Sequence, residues 1–105
     1  MSAPPCTHLH EVEVRELPAE VAGCEDCLRM GGKWLHLRIC LTCGHVGCCD
    51  SSPSRHATAH HHETTHPLMR SLEPGEDWSW CYDDEVALAI DGISGKTRIP
   101  SSPLG

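Results

Sequence analysis

The sequence predicts a small α+β domain, in which a few-stranded antiparallel sheet packs against one main helix and bound metal stabilises the fold. The chain has 105 residues, about the size of one domain. Nineteen of them are Leu, Ile or Val and none is Phe, so the apolar core is small. Eight Cys and nine His supply the side chains from which zinc sites are built. Metal is therefore expected to stabilise what burial alone cannot.

Four strands and one helix are predicted. Alternation of apolar and polar residues predicts a strand over 34–39. Three further short strands are predicted at 68–72, 78–82 and 86–90. Ser52 and Pro53 form a typical helix start, with Ser as N-cap and Pro at the first helical position, and Pro67 is expected to end that helix.

The module is predicted to span residues 6–91, between a flexible lead-in at 1–5 and a flexible tail at 92–105. The first residues contain neither a basic region nor an apolar run, and no stretch has the ~18 apolar residues that span a bilayer. We therefore expect a cytoplasmic protein without membrane partners. Because no export signal is recognised, the eight cysteines are not expected to form the four disulfides of a secreted protein. The net charge of −7 disfavours binding to nucleic acid.

Two pairs of cysteines carry the strongest signal. Cys24 and Cys27, like Cys40 and Cys43, are separated by two residues, the spacing at which two thiolates grip one zinc ion across a turn. Cys48 follows the second pair, and three histidines follow at His56, His60 and His66. The four paired cysteines can form one ribbon-like site, but that partition leaves Cys48 and most histidines without a ligand role. The residues themselves predict structural zinc and leave the partition open.

The order of these groups resembles the UBP-type zinc finger, the ubiquitin-binding module of many deubiquitinases and of one histone deacetylase. The resemblance runs from Cys6 to about Ile90 and includes a Cys-x-His at the start, a His-x3-His-x5-His-Pro series and a Trp-Cys-Tyr near the end. The short chain looks like the small free-standing bacterial members of that family. The resemblance implies a zinc-stabilised module that binds proteins or peptides.

The resemblance also implies interleaved zinc sites, two of them with full sets of Cys and His. The first set is Cys24, Cys27, Cys48 and His56. The second set is Cys40, Cys43, His60 and His66. A third set joins Cys6 and His8 to Cys81 and Asp84, where Asp84 stands at a position that is usually Cys in the family. Because a carboxylate makes a looser structural site than a thiolate, we expect two zinc ions and treat the third site as additional.

Two alternative functions follow from other residues. His62, Glu63 and His66 satisfy H-E-x-x-H, the pattern of zinc metallopeptidases, in which two histidines one helical turn apart hold a catalytic zinc. Pro67 disfavours the helical conformation at His66, so the two histidines need not share a face. The other alternative is a redox or zinc-buffering protein, with Cys49 as its sensitive thiol.

A ligand pocket is the last implication of the resemblance. Ubiquitin-reading members hold a free Gly-Gly carboxyl terminus between aromatic walls and clamp its carboxylate with an Arg. Trp34, Trp80 and Tyr82 match such walls. Asp50 stands where the clamp Arg is expected, which would repel a carboxylate, and Arg55 is a candidate substitute. We therefore expect a peptide or chain terminus as partner and no affinity for the carboxyl tail of ubiquitin.

Overall fold

Over the part of the chain that the structure describes, the fold contains two α-helices and five strands, preceded by one turn of 3-10 helix. The computed structural model describes residues 8–104. In chain order, the elements are the 3-10 helix (Leu9–Glu11), α1 (Glu25–Met30), β1 (Leu37–Cys40), β2 (Val46–Cys48), α2 (His56–Thr64), β3 (Leu68–Ser71), β4 (Ser79–Cys81) and β5 (Val86–Leu88). Of the predicted ligands, Cys6 lies outside the described residues.

The five strands form one antiparallel sheet in the order β2-β1-β3-β4-β5. In the register, Arg38 lies opposite Gly47 on one side and Ser71 on the other, and Met69 lies opposite Trp80. Helix α2 packs against β1 and β2. The predicted fold class, a small α+β domain with an antiparallel sheet and one main helix, is confirmed.

Strand β1 begins three residues later than predicted, and both of its faces are buried. All four residues of Leu37–Cys40 are buried. Leu37 and Ile39 contribute to an apolar core that also contains Val12 and Leu17 from the segment before α1. The opposite face, with Arg38, lies against α2. The alternation in the sequence gave the correct faces but suggested that one of them is exposed.

Helix α2 begins at His56, four residues after the predicted N-cap. The hydroxyl of Ser52 is used elsewhere, because Leu35 N donates a hydrogen bond of 2.8 Å to Ser52 Oγ. Arg55 takes the N-cap position in a left-handed conformation, with φ of 46°. At the other end, Thr65 is left-handed as well, with φ of 63°, so the helix ends before His66. The predicted N-cap is wrong because Ser52 joins the loop to the residues before β1.

Residues from the end of the chain run alongside the segment that precedes α1. Leu17 N donates to Ser94 O at 2.8 Å, and Arg98 N donates to Ala19 O at 2.8 Å. Ile93 and Ile99 are partly buried against the core. These contacts place residues 93–99 on the sheet face opposite α2, and the flexibility expected for 92–105 stays a prediction.

Helix α2 approaches β2 at Gly47, where no side chain intervenes. A Cβ atom at Gly47 would lie 2.7 Å from Ala57 N and 2.9 Å from Ala57 Cα. Both contacts are to helix backbone, which cannot rotate away as a side chain can. Glycine is therefore required here by space, and the close approach sets the distance between β2 and the histidines of α2.

Replacement of Gly47 by Ala is expected to lower the free energy of unfolding by about 1–3 kcal/mol, because the helix must move away from the sheet. Chemical denaturation of the metal-loaded protein measures this change. Ala59→Ser, at an exposed position of the same helix, is the matched control and should change stability by no more than about 0.5 kcal/mol. Equal stabilities of the two variants would contradict the steric role of Gly47.

Candidate metal centres and binding cavity

The first cluster of possible ligands lies where α1, β2 and α2 meet. Cys24 is the N-cap of α1, Cys27 lies in its first turn, Cys48 ends β2 and His56 begins α2. The three cysteines are fully buried. One possible ligand atom from each of the four residues lies within 4.8 Å of all the others. The structure thus brings together the complete first set predicted from the sequence.

The distances in this cluster match those around a tetrahedral zinc ion. With Zn–S near 2.3 Å and Zn–N near 2.0 Å, two sulfurs would lie about 3.8 Å apart and a sulfur and a nitrogen about 3.5 Å apart. His56 Nδ1 lies 3.3 Å from Cys24 Sγ, 3.3 Å from Cys27 Sγ and 3.5 Å from Cys48 Sγ. Cys27 Sγ and Cys48 Sγ are 4.0 Å apart. This donor set fits zinc.

Backbone amides donate hydrogen bonds to two sulfurs of the first cluster. Cys27 N donates to Cys24 Sγ at 3.4 Å, and His56 N donates to Cys48 Sγ at 3.2 Å. Burial raises the pKa of the Cys24 and Cys27 thiols, because a buried thiolate loses its hydration. A divalent cation reverses this preference, since coordination removes the thiol proton. A bound divalent cation would therefore hold these thiols in the deprotonated form that burial alone disfavours.

The second cluster lies at the other end of α2 and contains the complete second predicted set. Its members are Cys40, Cys43, His60 and His66. Cys40 Sγ lies 3.5 Å from His66 Nδ1, and Cys43 Sγ lies 3.3 Å from His60 Nε2. Burial lowers the pKa of His60, which favours the neutral imidazole that binds metal. These donors also fit zinc.

His45, which is not one of the predicted ligands, lies against this second cluster. The ring of His45 stacks on that of His60, with centroids 4.3 Å apart and 5° between the planes. His45 Nε2 lies 2.9 Å from Asp26 Oδ2, and Asp26 also pairs with Arg29. This contact holds the imidazole of His60 in one orientation from outside the cluster. The His45 spacing gave no sign of it.

The third cluster lies beyond the first two, where β4 ends. Cys81 Sγ is 3.5 Å from His8 Nδ1 and 3.7 Å from Asp84 Oδ2, and His8 Nδ1 is 3.1 Å from Asp84 Oδ2. Asp83 Oδ2 lies 3.7 Å from His8 Nε2, on the other side of the imidazole. The structure brings together three of the four predicted members. Cys6, the fourth, lies outside the described residues.

The H-E-x-x-H pattern does not form a metal site within residues 8–104. His66 belongs to the second cluster, whereas His62 is exposed and is a member of none of the three clusters. The left-handed conformation of Thr65 separates them by ending the helix at Thr64. Cys49 also lies outside the clusters and is buried, with its Sγ 3.4 Å from Ser52 Oγ.

A cavity of about 250 Å³ opens between the sheet and the start of α2. Trp78, Trp80 and Tyr82 line it, together with Arg38, Met69 and Asp50. We call it the aromatic cavity. Burial raises the pKa of Tyr82, so its hydroxyl stays protonated, and the Thr58 hydroxyl lies 3.4 Å from it. Three of the five predicted pocket residues, Trp80, Tyr82 and Asp50, lie on this cavity.

Trp34 and Arg55 do not line the aromatic cavity. Trp34 is buried in the apolar core, and its ring fills the space left by the absent side chain of Gly23. Arg55 is exposed at the N-cap of α2. Arg38 and Trp78 take part instead, with the Arg38 guanidinium carbon 4.7 Å from the centroid of the Trp78 ring. The sequence did not predict that Arg38 lines this cavity.

Several known proteins have sequences similar to this chain. The profile of the family described as Zn-finger in ubiquitin-hydrolases and other protein matches residues 24–91. The BRCA1-associated proteins of Homo sapiens and Mus musculus are 36% identical over 80 residues, which cover 75% of this chain and 13% of theirs. Ubiquitin carboxyl-terminal hydrolase 44 of Ailuropoda melanoleuca is 27% identical over 103 residues, or 94% of this chain and 14% of its own. The chain thus spans only a small part of these curated relatives.

A similar structure has been solved for a protein of Rhodopseudomonas palustris by NMR in solution. It is 45% identical to this chain, with a TM-score of 0.75, and the similarity covers 96% of this chain and 98% of that one. The family match contains both complete clusters and the whole five-stranded sheet. The chain belongs to the family of UBP-type zinc fingers.

Proposed function

We propose that this chain is a non-catalytic binding module held together by structural zinc. The observation that carries the proposal is the convergence of two complete sets of sulfur and imidazole donors at distances that suit a tetrahedral ion. Zinc is the metal because Cys and His together suit it, whereas calcium and magnesium require oxygen ligands. We assign one ion to each complete set. The third set, with a carboxylate at Asp84, is proposed as an additional and weaker site.

Four protein ligands would close each complete site. A catalytic zinc keeps one coordination position open for water or substrate, whereas structural sites use all four positions for the protein. His66 would belong to a closed site, which removes it from the H-E-x-x-H chemistry. This supports a structural role for zinc and a module without enzymatic activity.

The binding function is assigned to the aromatic cavity. Its volume of about 250 Å³ is below the range of about 300–1,000 Å³ typical of sites for whole small molecules, so it suits the end of a chain. Trp80 and Tyr82 present amphipathic rings, as binding surfaces often do. A peptide or protein terminus is therefore the proposed partner. A terminus that ends in Gly-Gly, such as that of ubiquitin, is disfavoured because Asp50 replaces the clamp arginine.

The proposed location is the cytoplasm. None of the helices described over residues 8–104 has the length and apolar content needed to cross a bilayer. None of the seven cysteines among residues 8–104 forms a disulfide, as expected where the environment is reducing. The acidic net charge supports partners other than nucleic acid.

Removal of zinc is expected to unfold the module. Structural zinc contributes on the order of 10 kcal/mol of apparent binding energy per site in small peptides, which is comparable to the net stability of a whole domain. Complete chelation should abolish the near-UV CD spectrum and reduce the far-UV signal, and added zinc should restore both. Native CD spectra after chelation would contradict the proposal.

Two neighbouring cysteines provide a matched test of the ligand assignment. Cys48→Ser removes a sulfur from the first cluster, so the variant should bind one zinc ion fewer and lose its native CD spectrum. Cys49→Ser removes a buried thiol outside the clusters, so the zinc content should be unchanged. Native mass spectrometry counts the ions. Equal zinc content in the two variants would argue against Cys48 as a ligand.

Free ubiquitin is expected to show no saturable binding in the micromolar range. The expectation follows from the negative charge of Asp50, which stands at the position of the clamp arginine and repels a carboxylate there. Tryptophan fluorescence provides the readout, because Trp78 and Trp80 line the cavity. Micromolar binding that is lost on Trp80→Ala would show that the expectation is wrong.

A further inference from the structure

The aromatic cavity contains one positive and one negative side chain that are not paired with each other. Arg38 has its ion-pair partner in Glu76, at 4.0 Å. The described hydrogen bond of the Asp50 carboxylate comes from the neutral hydroxyl of Thr58, at 2.6 Å. No ion pair of 4.0 Å or less joins Arg38 to Asp50 among residues 8–104. The cavity is thus dipolar, with a cation on the sheet and an anion beyond the end of β2.

Arg38 is held in place and keeps hydrogen-bond donors that are not used within residues 8–104. Within the described part of the chain, its hydrogen bonds to Leu37 O at 3.0 Å and Ser71 Oγ at 3.2 Å both use Nη1. The guanidinium carbon lies 4.7 Å from the centroid of the Trp78 ring, a cation–π contact that helps to hold the group in place. Nε and Nη2 make no hydrogen bond to residues 8–104, so they keep the paired donors that suit a carboxylate.

Glu76 does not satisfy this cation. Its Oε1 accepts a hydrogen bond of 2.6 Å from Ser71 Oγ and one of 3.2 Å from Trp78 Nε1, whereas Arg38 Nη1 is 4.0 Å away. The Ser71 hydrogen bond lowers the pKa of Glu76, so the carboxylate is charged at neutral pH and anchored to Ser71 and Trp78. A carboxylate that enters the cavity therefore finds an arginine with free donors.

Asp50 favours a positively charged group, whereas Arg38 favours a carboxylate. Asp50 is exposed, and the hydroxyl of Thr58 leaves its negative charge uncompensated. The rings of Trp80 and Tyr82 line the same cavity. A carboxylate beside aromatic faces attracts a cation, because the ring quadrupole and the negative charge act in the same direction. The side of the cavity that repels a bare carboxylate is therefore a binding position for an ammonium or guanidinium group.

The spacing of the two charges indicates how a ligand would use them. Arg38 in β1 lies opposite Gly47, and Asp50 lies in the turn that follows β2, so the two charges come from separate segments. The α-ammonium and α-carboxylate of one free amino acid are only two bonds apart. The side-chain cation of a lysine or arginine is separated from its own α-carboxylate by several further bonds, which suits this arrangement better.

We propose that the aromatic cavity recognises a polypeptide carboxyl terminus whose last residue is basic. The terminal carboxylate pairs with Arg38, and the basic side chain lies against the aromatic rings with its charge at Asp50. This inference rests on the proposed function, the binding of a chain terminus. It relocates the carboxylate clamp from position 50 to β1 and adds a requirement for positive charge.

Four hexapeptides test the inference on the zinc-loaded full chain. They share one sequence, end in Lys or in Met, and carry either a free carboxylate or an amide. Isothermal titration gives the affinities. The free acid that ends in Lys should bind at least about tenfold more tightly than each of the other three, because it alone makes both charge-assisted contacts. Amidation tests the Arg38 contact without a substitution at this buried position.

Asp50→Asn tests the second contact. This variant should lose the preference for Lys over Met and keep the preference for acid over amide. Asp91→Asn, an exposed carboxylate outside the cavity, is the control and should behave like the unchanged chain. Equal affinities for acid and amide, or a Lys preference that survives Asp50→Asn, would overturn the inference and leave terminus binding intact. No binding of any of the peptides by the folded, zinc-loaded chain would overturn both.

Discussion

The fold depends on the convergence of thiol and imidazole groups from segments that are distant in the sequence. In the first cluster, His56 Nδ1 lies within 3.5 Å of three sulfurs that belong to α1 and β2. Apolar burial supplies a weaker constraint, because only nine of the fourteen buried core residues that the structure describes are aliphatic and four are cysteines. The clusters therefore decide where the two helices lie relative to the sheet.

The metal clusters and the aromatic cavity are adjacent in the chain. Asp50 follows Cys48 by two residues, and Cys81 lies between Trp80 and Tyr82. Members of the metal clusters and residues that line the cavity therefore lie next to each other on the same short stretches of backbone. Helix α2 connects the two features as well, since it carries His56 and His60 and also Ala57, which lines the cavity. The positions of the cavity walls consequently depend on the same backbone segments and the same helix that position the clusters.

Spacing in the sequence predicted the cysteine pairs, and the family resemblance implied how the ligands divide into clusters, whereas the cavity was predicted less well. A pair of cysteines two residues apart can serve one ion from a single turn, so Cys24 and Cys27 could be assigned without tertiary information. The residues that line the cavity depend on which face of a strand packs against the helix, which is a tertiary contact. In the structure, Arg38 lines the cavity and Trp34 lies in the core. The start of α2 was missed because Ser52 bonds Leu35, a tertiary contact that a local capping pattern does not reveal.

The order of the two complete clusters along the chain affects how the protein is made. Cys40 and Cys43 lie between the members of the first cluster, and His60 and His66 follow it. Neither cluster can close before translation has passed His56, and the second must wait for His66. Before His56 is added during synthesis, the chain already contains the five cysteines of these two clusters, although neither cluster yet has a complete set of ligands.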